Sequence, residues 1–162
     1  MEKEFLEIIQ KNQGIIHKVC SFYCDSDDDR KDLFQEIVAQ LWKSFPSFRK
    51  ESKFSTWMYR VALNTAITSF KKTKRRPDQN KLTYDNLQLV DEMPDQETEE
   101  NIKLLHRAIT RLTGIEKSII LLFLENKSYE DIAEITGITQ NYVRVKMNRI
   151  KKKLRTYMNI DK

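Results

Sequence analysis

Seven cations and no acid lie in the segment from residue 139 to residue 160 of this 162-residue chain. Guanidinium and ammonium groups bind phosphate oxygens, so a surface of this composition suits a nucleic-acid backbone. A helix that served only solubility would mix its charges to limit self-repulsion. The pattern therefore favours DNA binding. The seven cations are Arg144, Lys146, Arg149, Lys151, Lys152, Lys153 and Arg155.

Two helices joined by a tight turn are predicted to position these cations. Gly137 predicts the end of the first helix, because glycine takes the left-handed C-cap conformation without a Cβ clash. Thr139 suits the N-cap of the second helix. A helix-turn-helix with a basic second helix fits the DNA major groove, and the alternative is a core hairpin with a solvated cationic face. Spacings of four, three and four predict one buried stripe, which consists of Val143, Met147, Ile150 and Leu154.

Aromatic and cationic residues are interleaved in a second segment, from residue 48 to residue 60. Stacking of an aromatic ring on an unpaired base contributes about 1–3 kcal/mol per base, and cations bind the phosphate backbone. This combination suits single-stranded DNA. The alternative is that Phe54 and Trp57 are core residues, and for Trp57 we expect a packed ring that exposes an edge. Asn64, Thr68 and Lys71 extend a polar stripe for base and phosphate contacts. The interleaved residues are Phe48, Arg49, Lys50, Lys53, Phe54, Trp57, Tyr59 and Arg60.

A polar patch is predicted on the helix from residue 29 to residue 45. Neighbouring Asp, Gln and Glu side chains can accept hydrogen bonds from a basic partner surface, although spacing alone favours an ordinary solvated face. The polar residues are Asp32, Gln35, Glu36 and Lys43. The predicted apolar side consists of Leu33, Phe34, Ile37, Val38, Leu41 and Trp42.

Composition predicts an all-α protein of one medium or two small domains, since there are only 3 Gly and 3 Pro. Predicted helices span residues 4–24, 29–45 and 56–71, then 99–112 with Gly114 as terminator, then 115–125 and the helix-turn-helix. Residues 77–97 are polar and carry two prolines, which predicts a flexible linker. No apolar run approaches the ~20 residues of a membrane span and no signal peptide is evident, so we expect a cytoplasmic protein without membrane insertion.

The net charge of +5 is unevenly distributed. Residues 71–76 form a basic cluster, whereas residues 82–101 hold seven acids and no Lys or Arg. Two basic regions flanking an acidic one fit a protein that contacts nucleic acid at two places.

His17, Cys20 and Cys24 fall on one face of the first predicted helix. They could be three metal ligands, but no fourth lies nearby, so reduced thiols in a core are favoured. A disulfide is not expected in a reducing compartment. We predict neither a metal nor a cofactor.

Three stretches resemble bacterial RNA polymerase sigma factors of the extracytoplasmic function (ECF) class. They are RKDLFQEIVAQLW, FRKESKFSTWMYRVALNTA and LTGIEKSIILLFLENKSYEDIAEITGITQNYV, in that order. The resemblance covers nearly the whole chain outside the linker. It implies sigma region 2 at residues 1–76, an acidic linker at 77–98 and sigma region 4 with its helix-turn-helix at 99–162.

The resemblance implies a sigma factor without catalysis of its own. It would bind core RNA polymerase, read promoter DNA as duplex and as melted single strand, and be held by an anti-sigma factor. The implied polymerase-binding residues are Asp32, Leu33, Gln35 and Glu36. The implied minus-ten residues are Phe48, Arg49, Phe54, Trp57, Tyr59, Arg60, Asn64, Thr68, Lys71 and Lys72. The implied minus-thirty-five residues are Gln140, Asn141, Arg144, Val145, Lys146, Asn148 and Arg149.

Two departures from the family pattern leave the promoter sequence open. Asn141-Tyr142 stands where the family often has Gly-Thr, and Tyr142 could pack on DNA or on the preceding helix. Leu112-Thr113-Gly114 stands where the family usually has Leu-Pro.

Three other classes of protein fit the sequence less well. A nucleotide enzyme would need a glycine-rich phosphate loop, a metal cluster or a nucleophile with its base, and none is evident. A stand-alone helix-turn-helix regulator would need its own dimer surface and a sensor domain. An interaction protein without a DNA role would leave the basic second helix unexplained.

Overall fold

The computed structural model describes residues 2–48, 53–74 and 96–158, with residues 71–74 and 96 described as backbone only. These ranges contain helices and no strand, which confirms the all-α prediction. The helices are α1 (Glu2–Tyr23), α2 (Asp27–Ser44), a 3-10 turn (Phe45–Ser47), α3 (Phe54–Lys74), α4 (Gln96–Thr110), α5 (Gly114–Leu124), α6 (Tyr129–Thr136) and α7 (Gln140–Tyr157). The predicted flexible linker, residues 77–97, lies outside the described residues except for Gln96 and Glu97 at the start of α4.

The N-terminal half, residues 2–74, is a bundle of α1, α2 and α3. Ser26 begins α2 as its N-cap, because its side chain accepts a hydrogen bond from the backbone N–H of Asp29 at 3.1 Å. Apolar residues at helical spacing then meet in the bundle's interior. The side chains with no exposed surface include Ile16, Val19, Ile37, Leu41 and Met58.

Trp42 does not lie in the core of this bundle, so the prediction that placed it on the apolar side of α2 was wrong. Its side chain is 43% exposed, and its ring meets Phe5 edge-on with the centroids 5.0 Å apart. The buried stripe of α2 is the narrow one through Leu33, Ile37 and Leu41. Each helical residue turns by about 100°, so the residue after Leu41 points towards the rim of the bundle.

The C-terminal half, residues 96–158, packs α4 to α7 together. Gly114 was predicted to terminate a helix, and this was wrong because α5 begins there. Thr113 and Glu116 form a capping box, in which each side chain accepts from the other residue's backbone N–H. Helix α4 ends at Thr110, and Leu112 lies in the connecting turn with its side chain buried.

The predicted helix-turn-helix is confirmed in α6 and α7. Gly137 is the C-cap of α6 with φ of 80°, the left-handed conformation that glycine adopts without strain. Thr139 is the N-cap of α7 and accepts from the backbone N–H of Tyr142 at 3.1 Å. The predicted stripe on α7 is buried, from Val143 to Leu154.

The two halves pack against each other, with α5 against α1 and with α5 and α6 against α3. Within the described ranges, no helix is long and apolar enough to cross a bilayer.

Candidate nucleic-acid interface

Helix α7 presents an exposed face opposite its buried stripe. Arg144, Asn148 and Arg149 are exposed there, and Lys146 is half-buried. Because the stripe anchors α7 to α5 and α6, the exposed side chains project from a rigid helix. The face, called the α7 face below, consists of Gln140, Asn141, Arg144, Val145, Lys146, Asn148 and Arg149.

Tyr142 adds a ring to the beginning of α7. Its side chain is 43% exposed, and the Nζ of Lys146 lies 5.8 Å from the ring centroid. A cation near an aromatic face is attracted to it, so Lys146 and the Tyr142 ring lie side by side on α7. Tyr142 therefore retains a large surface for a ligand, as the first of its two predicted alternatives requires.

Lys153, one of the seven cations of α7, forms an ion pair with a buried carboxylate. The Nζ of Lys153 donates to the Oε2 of Glu116 at 2.6 Å, and Glu116 is only 2% exposed. Burial opposes ionisation of this carboxyl, but hydrogen bonds from Lys153 and Thr113 outweigh it and lower the pKa of Glu116. The pair ties the end of α7 to the start of α5, a role that sequence reasoning missed.

The predicted polar patch on α2 is on the surface. Asp32, Gln35 and Glu36 are exposed on successive turns, and we call them the α2 patch. Leu33, which the resemblance placed with them, is only 3% exposed. Its side chain holds α2 in the bundle, so it positions the patch without forming part of its surface.

Trp57 lies in an aromatic cluster at the end of α2 and the start of α3. Its ring centroid is 5.0 Å from that of Phe48, 5.2 Å from Phe54 and 6.3 Å from Phe45. The predicted packing is confirmed, but the predicted exposed edge is not, because these rings leave only 8% of Trp57 exposed. Phe45, Phe48 and Phe54 are half-buried around it, so these three rings retain accessible surface.

The C-terminal half covers the next two predicted minus-ten residues. Tyr59 is 4% exposed, and the Nζ of Lys127 lies 5.4 Å from its ring centroid. Burial, together with the nearby carboxylate of Glu125, raises the pKa of Tyr59 to about 12. The Nη2 of Arg60 donates to the backbone oxygen of Glu134 in α6 at 2.7 Å. Sequence reasoning did not foresee this covering.

Two further predicted residues, Asn64 and Thr68, are exposed along α3. The Thr68 hydroxyl donates to the backbone oxygen of Asn64 at 2.9 Å, so its proton is used within the helix and its oxygen can still accept. Arg49 and the side chains of Lys71 and Lys72 lie outside the described residues.

Comparison with known proteins matches both halves to one family. The family model for Sigma-70 region 2 matches residues 8–76, and that for Sigma-70, region 4 matches residues 102–154. The ECF RNA polymerase sigma-E factor of Haemophilus influenzae is 31% identical over 160 residues, which cover 91% of this chain and 84% of that protein. The chain belongs to the ECF class of RNA polymerase sigma factors.

Other members of the family are similar over most of this sigma factor. RNA polymerase sigma factor SigV of Bacillus subtilis is 29% identical over 140 residues, 86% of this chain and 81% of that protein. The structure of the sigma factor RpoE in complex with the anti-sigma factor NepR from Bartonella quintana matches with a TM-score of 0.69 and 19% identity. The match covers 99% of both chains, so the fold is shared along their length.

Cys20 of this sigma factor is buried in the core, and Cys24 is half-buried against it. Burial raises the pKa of both Cys20 and Cys24 to about 12, with neighbouring negative groups adding to the effect. The ring of His17 stacks on Phe34 with the centroids 4.8 Å apart. Among the residues that the structure describes, no three His, Cys, Asp or Glu side chains are grouped to hold a metal ion.

Proposed function

We propose that this sigma factor binds core RNA polymerase through the N-terminal half and directs it to promoters through both halves. The division follows the sequence prediction, with region 2 at residues 1–76, an acidic linker at 77–98 and region 4 at 99–162. The observation that carries the proposal is the α7 face. It is an exposed cationic surface on a helix whose opposite side is fully buried, in a chain with both sigma regions in the family's order.

Region 4 reads the minus-thirty-five element as duplex. The α7 face enters the major groove, where the guanidinium groups of Arg144 and Arg149 bind phosphates or guanine edges. Amide side chains at Gln140, Asn141 and Asn148 are donors and acceptors for base edges. Each phosphate contact releases counterions, so binding weakens steeply with salt.

Region 2 recognises and opens the minus-ten element. Phe48 and Phe54 offer accessible ring surface to a base flipped from the duplex, and both pack against Trp57. Stacking offsets the cost of unpairing, at about 1–3 kcal/mol per base. Asn64 and Thr68 are exposed on α3 and continue this surface. The proposed minus-ten set also includes Tyr59 and Arg60, which the C-terminal half covers, and Arg49, Lys71 and Lys72, whose side chains lie outside the described residues.

Core polymerase docks on the α2 patch. Two carboxylates and an amide on one exposed helical face accept hydrogen bonds from a basic surface of the polymerase. Leu33 fixes the helix that carries them. The sigma factor supplies binding and positioning only, and the polymerase supplies the catalysis.

We infer that an anti-sigma factor is a second protein partner. The solved RpoE structure that shares this fold is a complex with such a factor, NepR. Transcription takes place where the bacterial chromosome lies, so we infer that the sigma factor works in the cytoplasm.

In vitro transcription tests the proposed function. Purified bacterial core polymerase is supplied with pooled genomic promoter fragments, with and without the sigma factor. We expect new discrete start sites that disappear with Arg144→Ala/Arg149→Ala. The control Lys11→Ala/Arg107→Ala removes the same charge from exposed positions on α1 and α4, and it should transcribe normally. Duplex binding by the chain alone, without any stimulation of transcription, would instead identify a stand-alone helix-turn-helix regulator.

A further inference from the structure

Two exposed apolar side chains lie near the beginning of α7. Tyr142 is 43% exposed and Val145 is 38% exposed, and residues three apart on a helix are neighbours on its surface. Val145 follows the buried Val143 by two residues, a turn of about 200°, so it points away from the buried stripe. The other exposed side chains of α7, which the structure describes from Gln140 to Tyr157, are polar or charged. Tyr142 and Val145 therefore form a small apolar area, called the Tyr142–Val145 pair below, on an otherwise hydrophilic face.

The turn before α7 fixes the position of this pair. Gly137 ends α6, and the Thr139 side chain accepts a hydrogen bond from the backbone N–H of Tyr142 at 3.1 Å. Tyr142 is the third residue of α7. In a helix-turn-helix, the N-terminal residues of the second helix contact the edges of bases. The Tyr142 ring is therefore held at the end of α7 that would lie deepest in the major groove.

Cations surround the Tyr142–Val145 pair. Arg144 and Arg149 are exposed on α7, and the Nζ of Lys146 lies 5.8 Å from the centroid of the Tyr142 ring. Like charges repel, so these cations oppose the approach of a basic protein surface and favour that of a polyanion. Charge complementarity therefore indicates duplex DNA, and not an apolar protein partner, as the molecule that covers the pair.

The chemistry of the major groove identifies the group that an apolar pair can contact there. The bases of a duplex are paired and stacked, so a side chain in the groove meets only their edges. Those edges carry hydrogen-bond donors and acceptors, and among the four bases thymine alone adds a methyl group, at C5. A ring and a branched aliphatic side chain are complementary to that methyl group.

We propose that Tyr142, with Val145 beside it, recognises a thymine of the minus-thirty-five element through the C5 methyl group. The inference rests on the proposed function, because it takes α7 as the helix that enters the major groove. Burial of one group of the size of CH₂ changes an affinity by about fourfold, so the contact selects a base without determining the whole affinity. Tyr142→Ala should keep the fold, because the side chain is exposed and the capping hydrogen bond uses the backbone.

Deoxyuridine isolates the methyl group, because uracil pairs as thymine does but lacks the C5 methyl. Promoter fragments that yield new start sites are prepared with a single deoxyuridine in place of each thymine, on either strand, of the minus-thirty-five element. Competition experiments measure the binding of each fragment to core polymerase carrying the wild-type chain, Tyr142→Phe or Tyr142→Ala. We expect one replacement to weaken binding about fourfold with the wild type and with Tyr142→Phe, but less than about 1.5-fold with Tyr142→Ala.

Three results would overturn the proposal. The first is that Tyr142→Ala responds to every deoxyuridine as the wild type does, and the second is that the element contains no thymine. The third is that Tyr142→Phe loses the response as Tyr142→Ala does, which would assign the contact to the hydroxyl group. Failure of the proposed function is distinct, because the wild-type complex would then bind none of the unmodified promoter fragments specifically.

Discussion

Arg60 on α3 donates a hydrogen bond to the backbone oxygen of Glu134 on α6, across 2.7 Å and 74 positions of sequence. The sigma factor thus uses a proposed DNA-binding side chain to hold its own C-terminal half. The acceptor is a main-chain atom, so the contact does not depend on the Glu134 side chain.

Arg60→Ala should therefore loosen the chain while Glu134→Ala should not. A hydrogen bond from a charged group contributes about 1.5–3 kcal/mol, and we expect the lower end because Arg60 is partly exposed. Urea unfolding measures the difference. Equal destabilisation by both substitutions would show that the Glu134 side chain, not its backbone oxygen, makes the contact.

Lys153→Met should destabilise the C-terminal half by about 1–3 kcal/mol near pH 7, because it leaves the buried Glu116 carboxylate without its cation. Lys152→Met, at an exposed neighbouring position, is the control and should change stability by less than about 0.5 kcal/mol. Thermal unfolding of the full chain provides the comparison. Equal effects from both variants would refute the structural role of Lys153.

The stability that Glu116 contributes should depend on pH in a definite direction. Its pKa is lowered in the folded chain, so the folded state binds fewer protons than the unfolded state. The stability that Glu116 contributes is therefore fully present at pH values above its ordinary pKa of 4.5. This stability is lost as the pH falls through the lowered pKa of the folded chain. Unfolding measured from pH 7 down to pH 3 should show this loss in the wild type and a smaller one in Glu116→Gln. Identical pH profiles for the wild type and Glu116→Gln would contradict this contribution of Glu116 to stability.

His106 should make the chain less stable in mild acid. Burial, together with the nearby Lys117 cation, lowers its pKa below the ordinary 6.5. Between the two pKa values the unfolded state therefore binds more protons at His106 than the folded state does. The free energy of unfolding falls as pH drops from about 6.5 towards the pKa of the folded chain, and His106 leaves it constant above pH 6.5. His106→Gln should flatten urea-midpoint profiles between pH 5 and 8. A His106→Gln chain that keeps the wild-type pH dependence would disprove the assignment.

Salt dependence should report the phosphate contacts of α7. For duplex promoter DNA bound by sigma–polymerase, log K falls with log salt by about 0.9 for each phosphate neutralised. If Arg144 and Arg149 both bind phosphates, Arg144→Ala/Arg149→Ala should reduce the slope by about 1.8. Lys11→Ala/Arg107→Ala should leave it unchanged. An unchanged slope in the α7 variant would mean that neither guanidinium binds a phosphate.

Local chemistry explains which parts of the fold the sequence predicts. Gly137 and Thr139 stop and start helices through their own backbone preferences, and both capping roles are confirmed. Gly114 was wrongly predicted to end a helix because glycine on its own favours helix ends, and the neighbouring residues were not considered with it. The Thr113-to-Glu116 spacing is that of a capping box, which marks the beginning of a helix.

Contacts between distant segments explain what the sequence does not predict. The burial of Tyr59 depends on how α5 and α6 pack against α3. The spacing of apolar residues within α3 does not predict this packing. The ion pair between Glu116 and Lys153 likewise joins residues 37 positions apart. The roles assigned to individual polymerase- and DNA-binding residues stay predictions, since they depend on surfaces of other molecules.

Permanganate mapping of unpaired thymines tests the central claim most directly. Promoter fragments that yield new start sites are treated in the presence of core polymerase, the sigma factor or both. We expect reactive thymines around ten bases upstream of each start only when both proteins are present, and a weaker signal with Arg60→Ala/Asn64→Ala. Promoter binding by the complex without any reactive thymine would contradict the proposal that region 2 melts the minus-ten element.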